Sequence, residues 1–388
     1  MSRNKSLWNK EFRDAAQAVS WNRREFLRSA AATCAAGTMF GFSPLRAMAL
    51  PPSQKVVVVT FGGGARDEET FAPEGQENIP NLMKTLVPQS TFFDQVINQG
   101  ILGHYVATAS LATGVYETFD NFAAVSPDHP TVFEYFRKGL HRPAGDTWVV
   151  APSNGFNGIG TSDCKGYGQG AGVILPKQLL RTALPLEGDG QYSHLLLDNY
   201  EDPYYVPPLA GHEFHLKQLD QVLRLSVTDF MQHAMTLSSA DELSVYIAKQ
   251  LMRHLAPSLL WITLHDMDIA HSGAYSLYIE GIQRSDRLCA EIWSTIQSEP
   301  EYAGKTTMFV LPDFGRDSDF DAGGNGFQHH RTGDALSRTT WLMVLGPGIR
   351  EGMMVDRPVT SLDLVPTIGA KLGFATPLVQ GKRLEEVL

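Results

Sequence analysis

Cysteine is scarce in this sequence, with three among 388 residues, at positions 34, 164 and 289. No C-x-x-C pair exists, which excludes zinc ribbons and thioredoxin-like redox chemistry. Positive charge is also short: 32 Lys and Arg stand against 42 Asp and Glu, a net charge of −10. Eight of those basic residues, with three acidic ones, fall in the first 49 positions, so the remaining 339 carry −15. A body of that sign repels phosphate backbones and excludes non-specific nucleic-acid binding. No stretch beyond the N-terminal segment reaches about 18 apolar residues, so the mature chain is expected to have no stable membrane span. Internal repeats with a period on the order of 20–50 residues are missing, and so is a G-x-S-x-G nucleophile elbow. Gly62-Gly63-Gly64 lacks the G-x-G-x-x-G spacing and the Lys-Ser/Thr of a phosphate loop, and reads as a tight turn. What remains is an ordinary globular mixture, 43% apolar and 19% charged.

The basic excess at the start has a cause. Arg23-Arg24-Glu25-Phe26-Leu27-Arg28 precedes an Ala-rich apolar run over 29–42, followed by Ala47-Met48-Ala49. A charged segment, a short apolar segment and a small-residue site in that order describe a cleavable signal over 1–49. The paired arginines resemble a twin-arginine export signal, which implies the twin-arginine machinery as a partner and a periplasmic or secreted location. In such a compartment Cys164 and Cys289 either pair or stay as buried thiols.

Four short apolar runs read as buried parallel strands, over 55–61, 258–264, 306–311 and 340–345, with a shorter one over 147–150. Helical patterns lie between them, over 81–87, 131–140, 239–255 and 275–296. The third has acidic Asp241 and Glu242 in its first turn and Lys249, Arg253 and His254 near its end, as the helix dipole favours. Alternating strands and helices predict an α/β fold: a mostly parallel central sheet with helices on both faces, over 50–388. The Gly-, Tyr- and Pro-rich region 153–237 reads as an insertion or cap over the sheet edge.

Ligands in such sheets bind outside the carboxyl ends of the strands. There the sequence places Arg66 and Asp67, then His265-Asp266-Met267-Asp268-Ile269-Ala270-His271, then Asp313-Phe314-Gly315-Arg316, then His329-His330-Arg331. A lone Asp after a strand is commonly a helix cap. Carboxylates and imidazoles after several strands of one sheet suit a divalent cation better.

The tail strengthens this reading. Gly346-Pro347-Gly348-Ile349, Val359-Thr360-Ser361-Leu362-Asp363-Leu364-Val365-Pro366-Thr367-Ile368 and Gly381-Lys382-Arg383-Leu384 follow one another. Earlier come Ile79-Pro80-Asn81-Leu82, Ala109-Ser110-Leu111-Ala112-Thr113-Gly114-Val115-Tyr116 and His129-Pro130-Thr131. This succession resembles the alkaline phosphatase superfamily on its sulfatase-like side, over 55–150 and 255–388. The resemblance implies one metal held by Asp266 or Asp268, His271, and His329 or His330. At the family's second-metal positions only Asp313 matches; Gly62 and Phe314 stand where an Asp and a His belong. His104 occupies the nucleophile position.

The resulting expectation is a metal-dependent hydrolase of phosphate or sulfate esters in the cell envelope. It would use one divalent ion, zinc first and manganese or calcium as alternatives, on a small anionic ester. Asp266, Asp268, His271, Asp313, His329 and His330 are the candidate metal ligands. His104 and Arg316 are the catalytic candidates, with His104 as nucleophile or general base. Arg66 and Arg331 are the candidate substrate anchors. The alternative is a catalytically degenerate relative that binds a metal, a ligand or an extracytoplasmic partner. A further option places function on the 153–237 surface.

Overall fold

The computed structural model describes residues 54–123, 125–184, 190–196, 217–319 and 323–388. The expected export signal lies outside those residues, as does part of the 153–237 region. Among the described residues nine strands build one sheet: β1 (Lys55–Thr60), β2 (Ser90–Ile97), β3 (Thr147–Val150), β4 (Gly172–Ile174), β5 (Leu259–Thr263), β6 (Thr306–Leu311), β7 (Thr339–Leu345), β8 (Met353–Val355) and β9 (Val359–Thr360). Their order is β4-β3-β5-β1-β6-β7-β2-β8, with β9 also paired to β2.

β1 is Lys-Val-Val-Val-Val-Thr and is buried along its whole length. It pairs in parallel with β5 on one side and β6 on the other, so both of its faces are covered and alternation has no place in it. Its valines divide between two cores by the period of two. Val57 and Val59 join one core with Leu260, Ile262, Met308, Val310 and Met343. Val56 and Val58 join the other with Phe93, Leu259, Trp261, Phe309 and Val344.

Among the described residues, apart from single turns, there are seven α-helices: α1 (His104–Thr113), α2 (Val132–Leu140), α3 (Pro176–Ala183), α4 (Val227–Ala234), α5 (Ala240–His254), α6 (Tyr275–Ser298) and α7 (Leu364–Leu372). α5 and α6 pack on the first core, and α1, α2 and α7 on the second. Ser239 caps α5 by accepting the Glu242 N–H at 3.2 Å. Thr131 and Glu134 form a reciprocal capping box at the start of α2.

Two expectations change. β7 was expected to run parallel, yet it pairs antiparallel with both β6 and β2. A buried apolar run records that both faces are covered and not which way the chain travels. The 153–237 region does more than cover an edge: β4 lies inside it and extends the sheet in parallel beside β3. α3 in the same region packs on α5. Cys164 and Cys289 are both free, Cys289 being fully buried on α6. No helix among the described residues is long and apolar enough to cross a membrane.

The direction of β7 matters for the site. The start of an antiparallel strand lies at the same edge as the ends of its neighbours. The described residues of the 312–338 connection, with Asp313, Arg316 and His330, therefore stay at the carboxyl edge of the sheet. Trp341 anchors this arrangement. It is 1% exposed and lies 5.4 Å from Phe61, 5.1 Å from Phe71 and 6.0 Å from Phe92, ring centre to ring centre. Trp341→Ala is expected to cost about 3–5 kcal/mol through lost burial and the cavity left behind. Denaturant unfolding measures this, and a loss below about 1 kcal/mol would show that the cluster collapses freely into the space.

Candidate metal centre

α1 begins at His104, after Gly103 in an extended conformation. Asn121 Oδ1 accepts the N–H groups of Tyr105 at 3.0 Å and Val106 at 3.3 Å, which fixes this helix start. The His104 ring is buried between two carboxylates. Its Nδ1 lies 2.6 Å from Asp313 Oδ2 and its Nε2 lies 2.9 Å from Asp268 Oδ1. Phe314 stacks on the ring at 4.5 Å. Burial alone would lower the His104 pKa, but the two carboxylates outweigh it and raise it to about 9. The ring is therefore an imidazolium that donates on both sides.

Asp268 lies in the turn Asp266–Ser272 after β5. Its Oδ1 accepts from His104, from Arg316 Nη2 at 3.0 Å and faces His271 Nε2 at 3.2 Å. Burial works to raise this carboxyl. The surrounding imidazoles, His104 foremost, overcome that and hold it well below the usual carboxylate range.

His330 is oriented from behind. Its Nδ1–H donates to the Leu102 carbonyl at 2.8 Å, so the lone pair sits on Nε2. That atom lies 2.9 Å from His271 Nε2. Burial, followed by the charges of His104, Arg316 and His271, pushes the His330 pKa down to about 2 and keeps the ring neutral. A neutral imidazole with its far nitrogen on a carbonyl is the form that ligates metals.

His104, Asp268, His271 and His330 thus offer four donor atoms within 4.8 Å of one another. The Asp268, His271 and His330 atoms fit one ion best. Their separations of 2.9 and 3.2 Å are close to the roughly 3.3 Å between neighbouring ligands of a tetrahedral zinc. Three protein donors leave a fourth position open, the pattern of a catalytic site. His104 lies beside this set and differs from it, because both of its nitrogens already face carboxylates.

The other sequence candidates have local partners. Asp266 accepts from Arg284 at 2.9 Å and lies outside the cluster. His329 is exposed, and its backbone holds the loop by accepting the Asp317 N–H at 2.9 Å. Asp313 reaches the cluster only through His104; its other oxygen accepts the Phe314 N–H at 3.1 Å. Arg66 pairs with Glu69 at 2.9 Å and Asp319 at 2.6 Å. Arg331 is bound to Asp317 through its side chain and its N–H.

Arg316 is fully buried. It donates to Gly64 O at 3.0 Å, Phe327 O at 3.1 Å, Asp268 Oδ1 at 3.0 Å and Gly63 O. That geometry ties loops together and presents no donor to solvent. The glycine triplet has a matching reason. A Cβ on Gly62 would lie 2.2 Å from Leu264 O, and one on Gly63 would lie 2.7 Å from Asp268 N at a φ of +94°. The loops after β1 and β5 meet there, and only glycine permits the approach.

Sequence reasoning missed His265. It is the first residue after β5, 8% exposed, and its ring lies 4.8 Å from that of His104. The only signal available was its position at the strand end, beside two carboxylates that drew the attention.

No family profile matches the sequence, and no curated protein resembles it by sequence. Solved structures do resemble it. A protein in the alkaline phosphatase superfamily from Vibrio parahaemolyticus aligns with a TM-score of 0.53 at 13% identity, over 87% of this chain and 71% of that one. A mutant of the alkaline phosphatase PafA aligns at 0.52 and 12%, over 87% of this chain and 100% of that one. The phosphonate monoester hydrolase of Silicibacter pomeroyi aligns at 0.52 and 14%, over 86% and 76%. With its mostly parallel sheet and its rim of Asp and His residues, the chain has the fold of the alkaline phosphatase superfamily.

Proposed function

We propose that the chain is a metal-dependent hydrolase of phosphate or sulfate esters that uses one divalent cation, zinc foremost. The observation that carries this reading is the convergence of Asp268, His271 and His330 beside a buried Asp313–His104 pair. Asp268 Oδ1, His271 Nε2 and His330 Nε2 would hold the ion. Such an ion polarises an anionic ester and makes bound water a better nucleophile at neutral pH.

The chain's own residues supply the rest. Asp313 pins His104 through Nδ1, as a buried carboxylate orients a catalytic imidazole. His104 Nε2–H then faces the donor set and would give its proton to the leaving oxygen, as general acid. Nucleophilic attack and general-base action both need an unprotonated nitrogen with no carboxylate on it, so the geometry favours the acid role. Phe314 covers the ring and keeps water from the Asp313–His104 bond. A location in the cell envelope rests on the arginine-pair signal in the sequence.

One observation favours the second reading, a relative that binds without turnover. His104 donates from both nitrogens inside the protein, and Arg66, Arg316 and Arg331 all have internal acceptors. Arg66 and Arg316 are buried on those acceptors, and Arg331, though half-exposed, is tied to Asp317, so none of the three is held ready for an anion alone.

Metal analysis and kinetics separate the readings. The purified protein is expected to hold about one ion per chain. His271→Ala and His330→Ala are each expected to weaken zinc binding by more than about tenfold. A wild-type protein that binds no divalent metal under dialysis would sink the metal reading. Wild type is also expected to cleave at least one of a panel of nitrophenyl phosphate, nitrophenyl sulfate and phosphonate monoesters. His104→Ala should then lower kcat by roughly 10²–10⁴-fold while the metal stays bound. Equal kcat in His104→Ala and His104→Gln to wild type removes His104 from the reaction, and bound metal with no turnover of any ester selects the second reading.

A further inference from the structure

The cation set leaves one imidazole of the β5 loop without a role. His265 is buried, and its main chain is held by a helix. Asp241, fully buried in the first turn of α5, accepts the His265 N–H at 2.8 and 2.9 Å and the Asp266 N–H at 2.8 Å. Asp241 thus does more than complement a helix dipole: it fixes the direction in which the His265 side chain leaves the backbone. Rings then fix the side chain itself. His104 meets it edge-on at 4.8 Å and Phe156 at 5.4 Å, with interplanar angles of 78° and 89°.

So held, His265 Nε2 lies 3.7 Å from Asp268 Oδ2. The two oxygens of Asp268 therefore face different neighbours. Oδ1 faces His104, His271 and Arg316, where the ion would sit. Oδ2 faces His265. At 3.7 Å this approach is longer than a hydrogen bond, and a carboxylate rotation of about 1 Å closes it. With Oδ1 on an ion, Asp268 would keep Oδ2 turned toward His265 Nε2.

We propose that His265 is a positioning residue for the cation site: its Nε2–H donates to Asp268 Oδ2 and aims Oδ1 at the ion. This rests on the metal reading given above. Ligating carboxylates need such partners, because an unheld carboxylate must be ordered when the ion binds.

The test is zinc affinity of the full protein, measured by competition with a chromophoric chelator. His265→Leu fills the space without a donor, and His265→Gln keeps an N–H at similar reach. His265→Leu is expected to weaken zinc binding roughly 10–100-fold. His265→Gln is expected to recover part of that loss, while both variants unfold near the wild-type temperature. Wild-type affinity in His265→Leu overturns the proposal. So does an equal loss in both variants, which would mean that ring shape matters and the donor does not. A wild-type protein that binds no zinc fails one step earlier and removes the metal reading together with this one.

Discussion

The site depends on a histidine clamped between two buried carboxylates. Asp268 and Asp313 come from loops after β5 and β6, and His104 opens α1. Two carboxylates brought this close in a low-dielectric interior repel each other, and burial penalises each charge. The His104 imidazolium between them relieves both costs with bonds of 2.6 and 2.9 Å. Removing it would leave two buried negative charges facing each other. The arrangement of the loops and the position of α1 therefore depend on one another.

Topology is what brings these groups together. Eight strands run one way and β7 runs the other. A right-handed crossover from β6 to a parallel strand would have taken the chain away from the carboxyl edge. The antiparallel return keeps His330 within reach of Leu102 and His271. Solved structures at 12–14% identity share the overall fold. Their likeness shows the scaffold, and function has to be argued from the side chains at the rim.

Much of the fold was legible in the amino-acid pattern. The runs that became β1, β3, β5 and β6 are continuous and β-rich, and their bounds agree with the structure to within a residue or two. β2 was not, because Asp94 and Gln95 interrupt it where the register shifts against β7. α1 carries no apolar stripe, since all ten of its residues are buried and no face of it is turned to solvent. At the site, chemistry-bearing types at strand ends pointed to the right edge. Pairing was out of reach: nothing local distinguishes Asp268 from Asp266, and the difference is that Arg284, eighteen positions on, takes the latter. Arg316 was a catalytic candidate in the sequence, because its burial depends on loops far away along the chain. The resemblance to a known superfamily added His104, which spacing alone would have passed over.

The stitching by Arg316 has a consequence for access. Its guanidinium joins segments at 63–64, 268 and 327 with no solvent exposure, and pulling any one of them away would strand a charge in the interior. The loops beneath the site are thus tied into one piece. Of the four clustered side chains, His104 and Asp268 are sealed, while His271 and His330 are part-exposed. Whatever arrives from solvent meets those two imidazoles before it meets Asp268 or His104.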